Sequence, residues 1–370
     1  MNRDRLVQTF KALVAIDSPS LSERLVCDYL IEKLQALGFT VFEDEVGSII
    51  GGNCGNLYAY LDGNLYAEPL LFSAHMDTVE PSRGKTAVVH EDGKITSSGT
   101  TVLGADDLAG ITAILEAVES IKEKNLMHRP IEILFCVAEE LYGLGSKHFD
   151  YSVLRSKEAY ILDLSGEVGS AAYKAPTLLT FEIKINGKAS HAGFAFDQGI
   201  HAIAVAAEAI MNVKIGQIDE ESTCNIGVIG GGLAPNIVPA SCHISGEIRS
   251  YSHQKALDIL DDTIRIFEEA AETHGATIDS ESQVHIEAYE TLHTHSVVKR
   301  FCNVCEELGL PWALRPTFGG SDNNHIEKHG ISGLVLATAM NNCHSCSEYS
   351  SVSELKKITK IVEKLMTYKY

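Results

Sequence analysis

The stretch Ile131-Glu-Ile-Leu-Phe-Cys-Val-Ala-Glu-Glu-Leu-Tyr-Gly143 decides how this chain is read. A nearly unbroken apolar run, Ile131 to Ala138, stops at two adjacent glutamates, Glu139 and Glu140, just before a glycine-containing turn. A short apolar run bounded by a turn reads as a strand covered on both faces. Two acids at its end are either solvated at a loop entry or held there for chemistry.

Working outward, three more segments repeat the design. EPLLFSAHMD (68–77) reads as a strand ending in His75 and Asp77, and EAYILDLSG (158–166) as another carrying Asp163. GISGLVLATAM (330–340) is followed by NNCHSCSE, which places His344 four residues past Met340. Between the first two strands, GADDLAGITAILEAVESIKEKN (104–125) predicts a helix with Asp106 and Asp107 in its first turn. Helical periodicity also covers 4–15 and 22–37, the second preceded by Asp17-Ser-Pro-Ser as a start signal, while 39–43 and 56–61 read as strands. Apolar strands alternating with amphipathic helices predict an α/β domain: a mixed, mostly parallel sheet sandwiched by helices.

From about 177 the texture changes. LLTFEIKING (178–187) alternates in the manner of a sheet with one wet face, and a helix (198–213), strands at 223–230 and 241–249, a helix (252–274) and a strand (283–289) follow. That β-α-β-β-α-β order predicts a ferredoxin-like α+β unit. The expected organisation is a discontinuous domain, 1–176 with 293–370, interrupted by a smaller inserted one, 177–292. No internal repeat or low-complexity segment is visible.

The totals narrow the partners. A chain of 370 residues, 45% hydrophobic, fills two cores. Its 50 acids against 30 Lys and Arg give −20, which repels nucleic acid and anionic lipid. The opening MNRDRLVQTF carries charges where a signal peptide needs an apolar core, and no run approaches the ~18 apolar residues of a membrane span, so a cytoplasmic protein is expected. Nine cysteines are then expected to be reduced. Two C-x-x-C pairs, Cys302/Cys305 and Cys343/Cys346, have the look of a structural zinc ribbon. Val298, Phe301, Cys302, Cys305 and Leu308 recur at helical spacing, however, which reads the first pair as apolar packing instead.

In an open α/β sheet the ligand crevice lies beyond the carboxyl ends of the strands. Taken singly, each polar strand-end residue has an ordinary explanation: a surface pair for His75 and Asp77, a helix cap for Asp106 or Asp107, solvated acids for Glu139 and Glu140. Together, two histidines and several carboxylates at one sheet edge are the donor mix that zinc accepts, and also cobalt or manganese. Gathered without a cation, such acids repel one another. Asp77, two residues beyond His75 along a strand, faces the same way and is placed to accept the second imidazole N–H.

The motifs SAHMDTVEP, SSGTTVLGADDLAG, CVAEELYGLGS, LDLSGEVG, INGKASHAG, GGGLAPNIVP, EIRS, FGGSDNNH and CHSCSEY resemble, in order and spacing, the dinuclear zinc exopeptidases and amidases related to peptidase T. Carboxypeptidase G, aminoacylase and succinyl-diaminopimelate desuccinylase belong to the same family, and TTVLGADD and NIVP are most similar to the peptidase T-like branch. The resemblance implies two divalent metals, with His75 and Asp163 on one, Glu140 and His344 on the other, and Asp106 bridging. It implies a cis peptide between Asp106 and Asp107, Asp77 as the acid orienting His75, and Glu139 as the general base acting on water at the metals. It further implies His191 as an oxyanion partner, Asn236 and Arg249 as substrate clamps, and Gly319, Gly320, Ser321, Asp322 and Asn323 as a loop lining the substrate pocket. A solvated arginine and ordinary turn chemistry remain alternatives for Arg249 and the glycines.

The implied activity is cleavage of a small peptide, as a tripeptide aminopeptidase. Deacylation of an N-acyl amino acid, carboxypeptidase action, and a non-catalytic zinc-binding or structural role are the alternatives. Relatives that dimerise do so through the inserted domain, which also closes over the metals, so a homodimer and a lid are expectations here too. Three departures stand out: Leu108 replaces the family's usual lysine, HAGFAFDQG has phenylalanine and aspartate where proline and glutamate are common, and Cys343 and Cys346 flank His344.

Overall fold

The computed structural model describes residues 1–369. The chain forms two compact units, Met1–Lys174 with Glu290–Tyr370, and Ala175–Tyr289.

The first unit is built on a nine-stranded mixed sheet whose central order is Thr40–Glu43, Leu57–Leu61, Ile131–Cys136, Leu70–His75, Glu158–Leu164, Ser332–Ala337 and Ser170–Ala175. Leu70–His75 lies parallel to Ile131–Cys136 on one side and to Glu158–Leu164 on the other. Every residue of the first two of these strands is buried. Phe72, Ala74, Ile133, Phe135, Tyr160 and Leu162 belong to one large apolar cluster with helices Arg3–Val14, Ala105–Glu123, Ser296–Glu307 and Val352–Thr367. Strand alternation sends Leu71, Leu134 and Ile161 to the other face, where short helices such as Asn323–Lys328 cover the sheet. Cover on both faces is why these strands read as continuous apolar runs rather than alternating ones.

Register then sets the site. His75 stands level with Cys136, and Ser73 with Ile161, so two residues further on Asp163 comes level with His75. A lesser sheet pairs Tyr349–Ser351, Lys94–Thr96 and Val88–Val89. Its strands are two or three residues long, below what periodicity detects.

The second unit is a five-stranded antiparallel sheet in the order Gly216–Asp219, Ser222–Gly231, Ser241–Ser250, Thr177–Asn186 and Thr277–Ile286, with helices Ala202–Asn212 and His253–Thr273 packed on it. Leu179, Phe181, Ile183 and Ile185 point into its own core while Glu182 and Lys184 face out. The last strand starts at Thr277 rather than at 283, because TIDSES is solvated on both sides of an edge strand and shows no alternation. The short Gly216–Asp219 strand, a hairpin partner of Ser222–Gly231, adds to the β-α-β-β-α-β pattern.

Candidate active site

His75 closes its strand and is 1% exposed. Its Nδ1 lies 3.0 Å from the Asp77 carbonyl oxygen and 3.3 Å from Asp77 Oδ1. The Nδ1–H therefore donates to Asp77, which leaves Nε2 with its lone pair forward. Around that nitrogen stand Asp106 Oδ1 at 3.1 Å, Asp163 Oδ1 at 3.9 Å and Glu139 Oε2 at 4.0 Å. The other Asp106 oxygen, Oδ2, lies 3.4 Å from His344 Nε2, which is 3.1 Å from Glu140 Oε2. Asp106 thus presents one oxygen to each of two imidazoles.

The turn that carries Asp106 is tied down from far along the chain. Glu348, 2% exposed, accepts the N–H groups of Gly104 (2.7 Å) and Asp106 (3.0 Å). Gly104 sits at φ 74°, a conformation that costs glycine little, and the Asp106–Asp107 peptide is cis. Asp107 points inward and accepts from the N–H groups of His75 and Gly110.

Electrostatics mark the cluster as short of positive charge. Burial raises Glu139 well above the usual carboxylate range, reinforced by Asp163, and raises Asp163 likewise with help from Asp106. Burial also raises Glu140. Asp106 goes the other way: burial alone would raise it, but the imidazoles of His344 and His75 beside its two oxygens hold it far below the normal range. His344, bonded to Asp106 and Glu140, is pushed up to about 10. One Glu140 oxygen, Oε1, is buried without a hydrogen-bond partner. Three groups of donors lie close enough to share an ion: His75, Asp106 and Asp163; His75, Glu139 and Glu140; and Asp106, Glu140 and His344. Oxygen and imidazole donors, an orphaned carboxylate oxygen and mutually repelling acids fit divalent cations.

All of His75, Asp77, Asp106, Glu139, Glu140, Asp163 and His344 are brought together. His191, Asn236 and Arg249 belong to the 175–289 unit. There the N–H of Ala192 donates to the Asn236 carbonyl, which sets His191 beside Asn236, and Arg249 forks onto Glu247 at 2.8 and 3.2 Å. Gly319 and Gly320 are exposed, whereas Ser321, Asp322 and Asn323 are buried and open the helix Asn323–Lys328. Among the described residues no group of three or more metal-binding side chains includes a cysteine. Burial, together with Asp106 and Glu348, pushes the Cys343 thiol up, so it stays a thiol beside the cluster. Leu108 is fully buried in the core. Sequence reasoning missed Glu348, Ser20 (2.7 Å from Asp77 Oδ2), Asn56 and Glu23, whose partners lie from 57 to 244 residues away and leave no local signal.

Imidazoles and carboxylates gathered at the carboxyl edge of a mostly parallel sheet are the arrangement of a metal-dependent hydrolase. The same answer comes from likeness to known proteins. The profile of Peptidase family M20/M25/M40 matches residues 71–368, and the chain belongs to that family. It is 37% identical to the uncharacterized protein YqjE of Bacillus subtilis (strain 168), over 98% of this chain and 97% of that one. The crystal structure of aminopeptidase PepT from Bacillus cereus ATCC 10987 is similar with a TM-score of 0.94 at 36% identity, over 99% and 98% of the two chains. A tripeptidase from Staphylococcus aureus subsp. aureus Mu50 is similar with a TM-score of 0.97 at 33% identity, over the same shares. The chain is a peptidase. Among the described residues no helix is long and apolar enough to cross a membrane.

Proposed function

We propose that this peptidase removes the N-terminal residue from tripeptides, using two divalent cations. The observation that carries the reading is Asp106, one oxygen turned to His75 and the other to His344, with Asp163, Glu140 and Glu139 around them. His75 and Asp163 would hold one cation, Glu140 and His344 the other, and Asp106 both. Zinc suits the donors, and cobalt or manganese are compatible with them. When bound, such cations lower the pKa of water toward neutrality and polarise the carbonyl to be attacked.

The chain's own residues do the rest. Glu139 is the one carboxylate of the cluster left for proton transfer, and burial gives it the raised proton affinity of a base. It accepts a proton from the attacking water and returns it to the leaving nitrogen. Asp77 keeps His75 in the tautomer with Nε2 free. On His191, Nδ1 accepts the N–H groups of Gly193 (3.1 Å) and Phe194 (3.2 Å), so Nε2 carries the proton and suits an oxyanion. Arg249 is a fork for a substrate carboxylate, with Asn236 and the Gly320–Asn323 loop as further contacts. The 175–289 unit serves as lid and, in a homodimer, as the pairing domain; the setting is cytoplasmic.

Support for the aminopeptidase choice is likeness along the whole chain to an aminopeptidase and a tripeptidase. The test is a panel of di- and tripeptides with free and blocked termini. Rapid cleavage of free tripeptides, with loss of at least about 100-fold on N-acetylation, is the expected result, since a site built to hydrogen-bond a substrate amine rejects the analogue that lacks it. Indifference to the acetyl group, or a preference for it, replaces the aminopeptidase with a carboxypeptidase or a deacylase.

A further inference from the structure

Four consecutive backbone N–H groups at the end of strand Ile131–Cys136 donate to side-chain oxygens. Val137 N lies 3.0 Å from Asn56 Oδ1, Ala138 N 3.0 Å from Glu23 Oε1, Glu139 N 3.0 Å from Asp77 Oδ1 and Glu140 N 3.2 Å from Asp77 Oδ2. Two of the three acceptor residues have evident reasons to be where they are. Asp77 orients His75, and Asn56 bonds Asp44 Oδ2 (2.8 Å) and the Gly145 carbonyl (3.1 Å) in a loop network. Glu23's other hydrogen bond is local, from the Leu21 N–H two residues before it.

Glu23 stands at the N-cap of helix Arg24–Ala36 but makes no capping hydrogen bond to that helix. Its side chain instead reaches, fully buried, to a residue 115 positions away. The same oxygen accepts the Leu21 N–H at 2.9 Å, and the other oxygen, Oε2, is buried without a hydrogen-bond partner. Both amides that Glu23 collects belong to non-glycine residues in the left-handed region, Leu21 at φ 68° and Ala138 at φ 50°. L-residues take up that conformation only where something holds them.

Ala138 is the pivot. It is fully buried, so its N–H has no water to turn to if its acceptor is removed. Its left-handed backbone bends the chain out of the strand, and the next two residues send Glu139 Oε2 to 4.0 Å from His75 Nε2 and Glu140 Oε2 to 3.1 Å from His344 Nε2. Were Ala138 to relax to extended backbone, strand alternation would turn the two glutamates to other directions.

We propose that Glu23 is a positioning residue for catalysis: its carboxylate oxygen, by accepting the Ala138 N–H, fixes the left-handed turn that aims Glu139 at the reacting water. This rests on Glu139 being the base. Glu23→Met removes the acceptor at nearly constant shape, and Glu23→Gln keeps a carbonyl oxygen in its place. In the metal-loaded, full-length protein, Glu23→Met is expected to lower kcat about 10- to 100-fold, the cost of a misplaced catalytic group, with KM within about threefold and both metals retained. Glu23→Gln is expected to recover most of the loss. Amide hydrogen exchange supplies a readout independent of activity: the Ala138 N–H is slow in the native protein, speeds at least about tenfold in Glu23→Met and slows again in Glu23→Gln.

A kcat for Glu23→Met within about threefold of the native value, equal losses in the two variants, or unchanged exchange at Ala138 overturns the assignment. Should Glu23→Met not fold, fast exchange of the Ala138 N–H in the native protein overturns it as well. Glu139→Gln separates the two layers of the argument, with an expected loss of about 10²- to 10⁴-fold at full metal content. If Glu139→Gln stays active while exchange at Ala138 still follows Glu23, the base assignment falls and Glu23 holds the turn only. If Glu139→Gln is inactive and Glu23→Met is not impaired, the base stands and the Glu23 assignment falls.

Discussion

At His325 burial, not partnership, sets the chemistry. The side chain is 6% exposed beneath the loop that follows Glu140, and burial pushes its imidazole down to about 4. The folded protein therefore keeps it neutral at pH values where the unfolded chain, near 6.5, already binds a proton. Stability from this group is complete above about pH 6.5 and is lost as pH falls toward 4, at most about 3 kcal/mol. Urea midpoints measured across that window are expected to fall for the native protein and to flatten in His325→Gln; an equally steep fall in the variant would assign the acid sensitivity elsewhere. Nothing in NNHIEK marked His325 as buried, because burial depends on which element lies above. His75 and Glu140 were legible for the opposite reason: each ends or follows an apolar run, so the sequence itself shows them at a strand end.

The element that sequence reading caught best is helix Ala105–Glu123, and its tightest point is one it did not flag. A Cβ on Gly110 would stand 2.4 Å from Asp107 Oδ1 and 2.7 Å from the Leu162 carbonyl oxygen, the helix there lying directly against the strand that carries Asp163. Gly110→Ala is expected to cost about 1–3 kcal/mol through overpacking and to displace Asp107 from the His75 N–H. Chemical denaturation measures the first effect, and a stability equal to the native protein's would show that helix and strand separate freely. Long buried strands and long helices were readable because their periods persist for several turns or pleats. Lys94–Thr96 and Tyr349–Ser351 were not, since three residues carry no period, yet the second leads directly from Glu348 into the last helix.

For the whole molecule, the two units have separate cores, one around the mixed sheet and one around the antiparallel sheet. The acids of the cluster lie in the first unit alone. Chelation is expected to destabilise Met1–Lys174 with Glu290–Tyr370 by about 4 kcal/mol per bound cation relative to protein saturated at a thousand times each dissociation constant, while Ala175–Tyr289 keeps its unfolding transition. Calorimetry with and without chelator tests this; coincident, unshifted transitions would place no cation in the cluster. The sequence by itself determined the α/β layering, the inserted α+β unit and the set of acids and imidazoles at strand ends, because burial on both faces and the carboxyl-end rule are written locally. Only the tertiary structure decided that Glu23, Asn56 and Asp77 hold one turn and Glu348 another. A hydrogen-bond acceptor is chosen by proximity in space, and these acceptors come from chain positions as much as 244 residues from their donors.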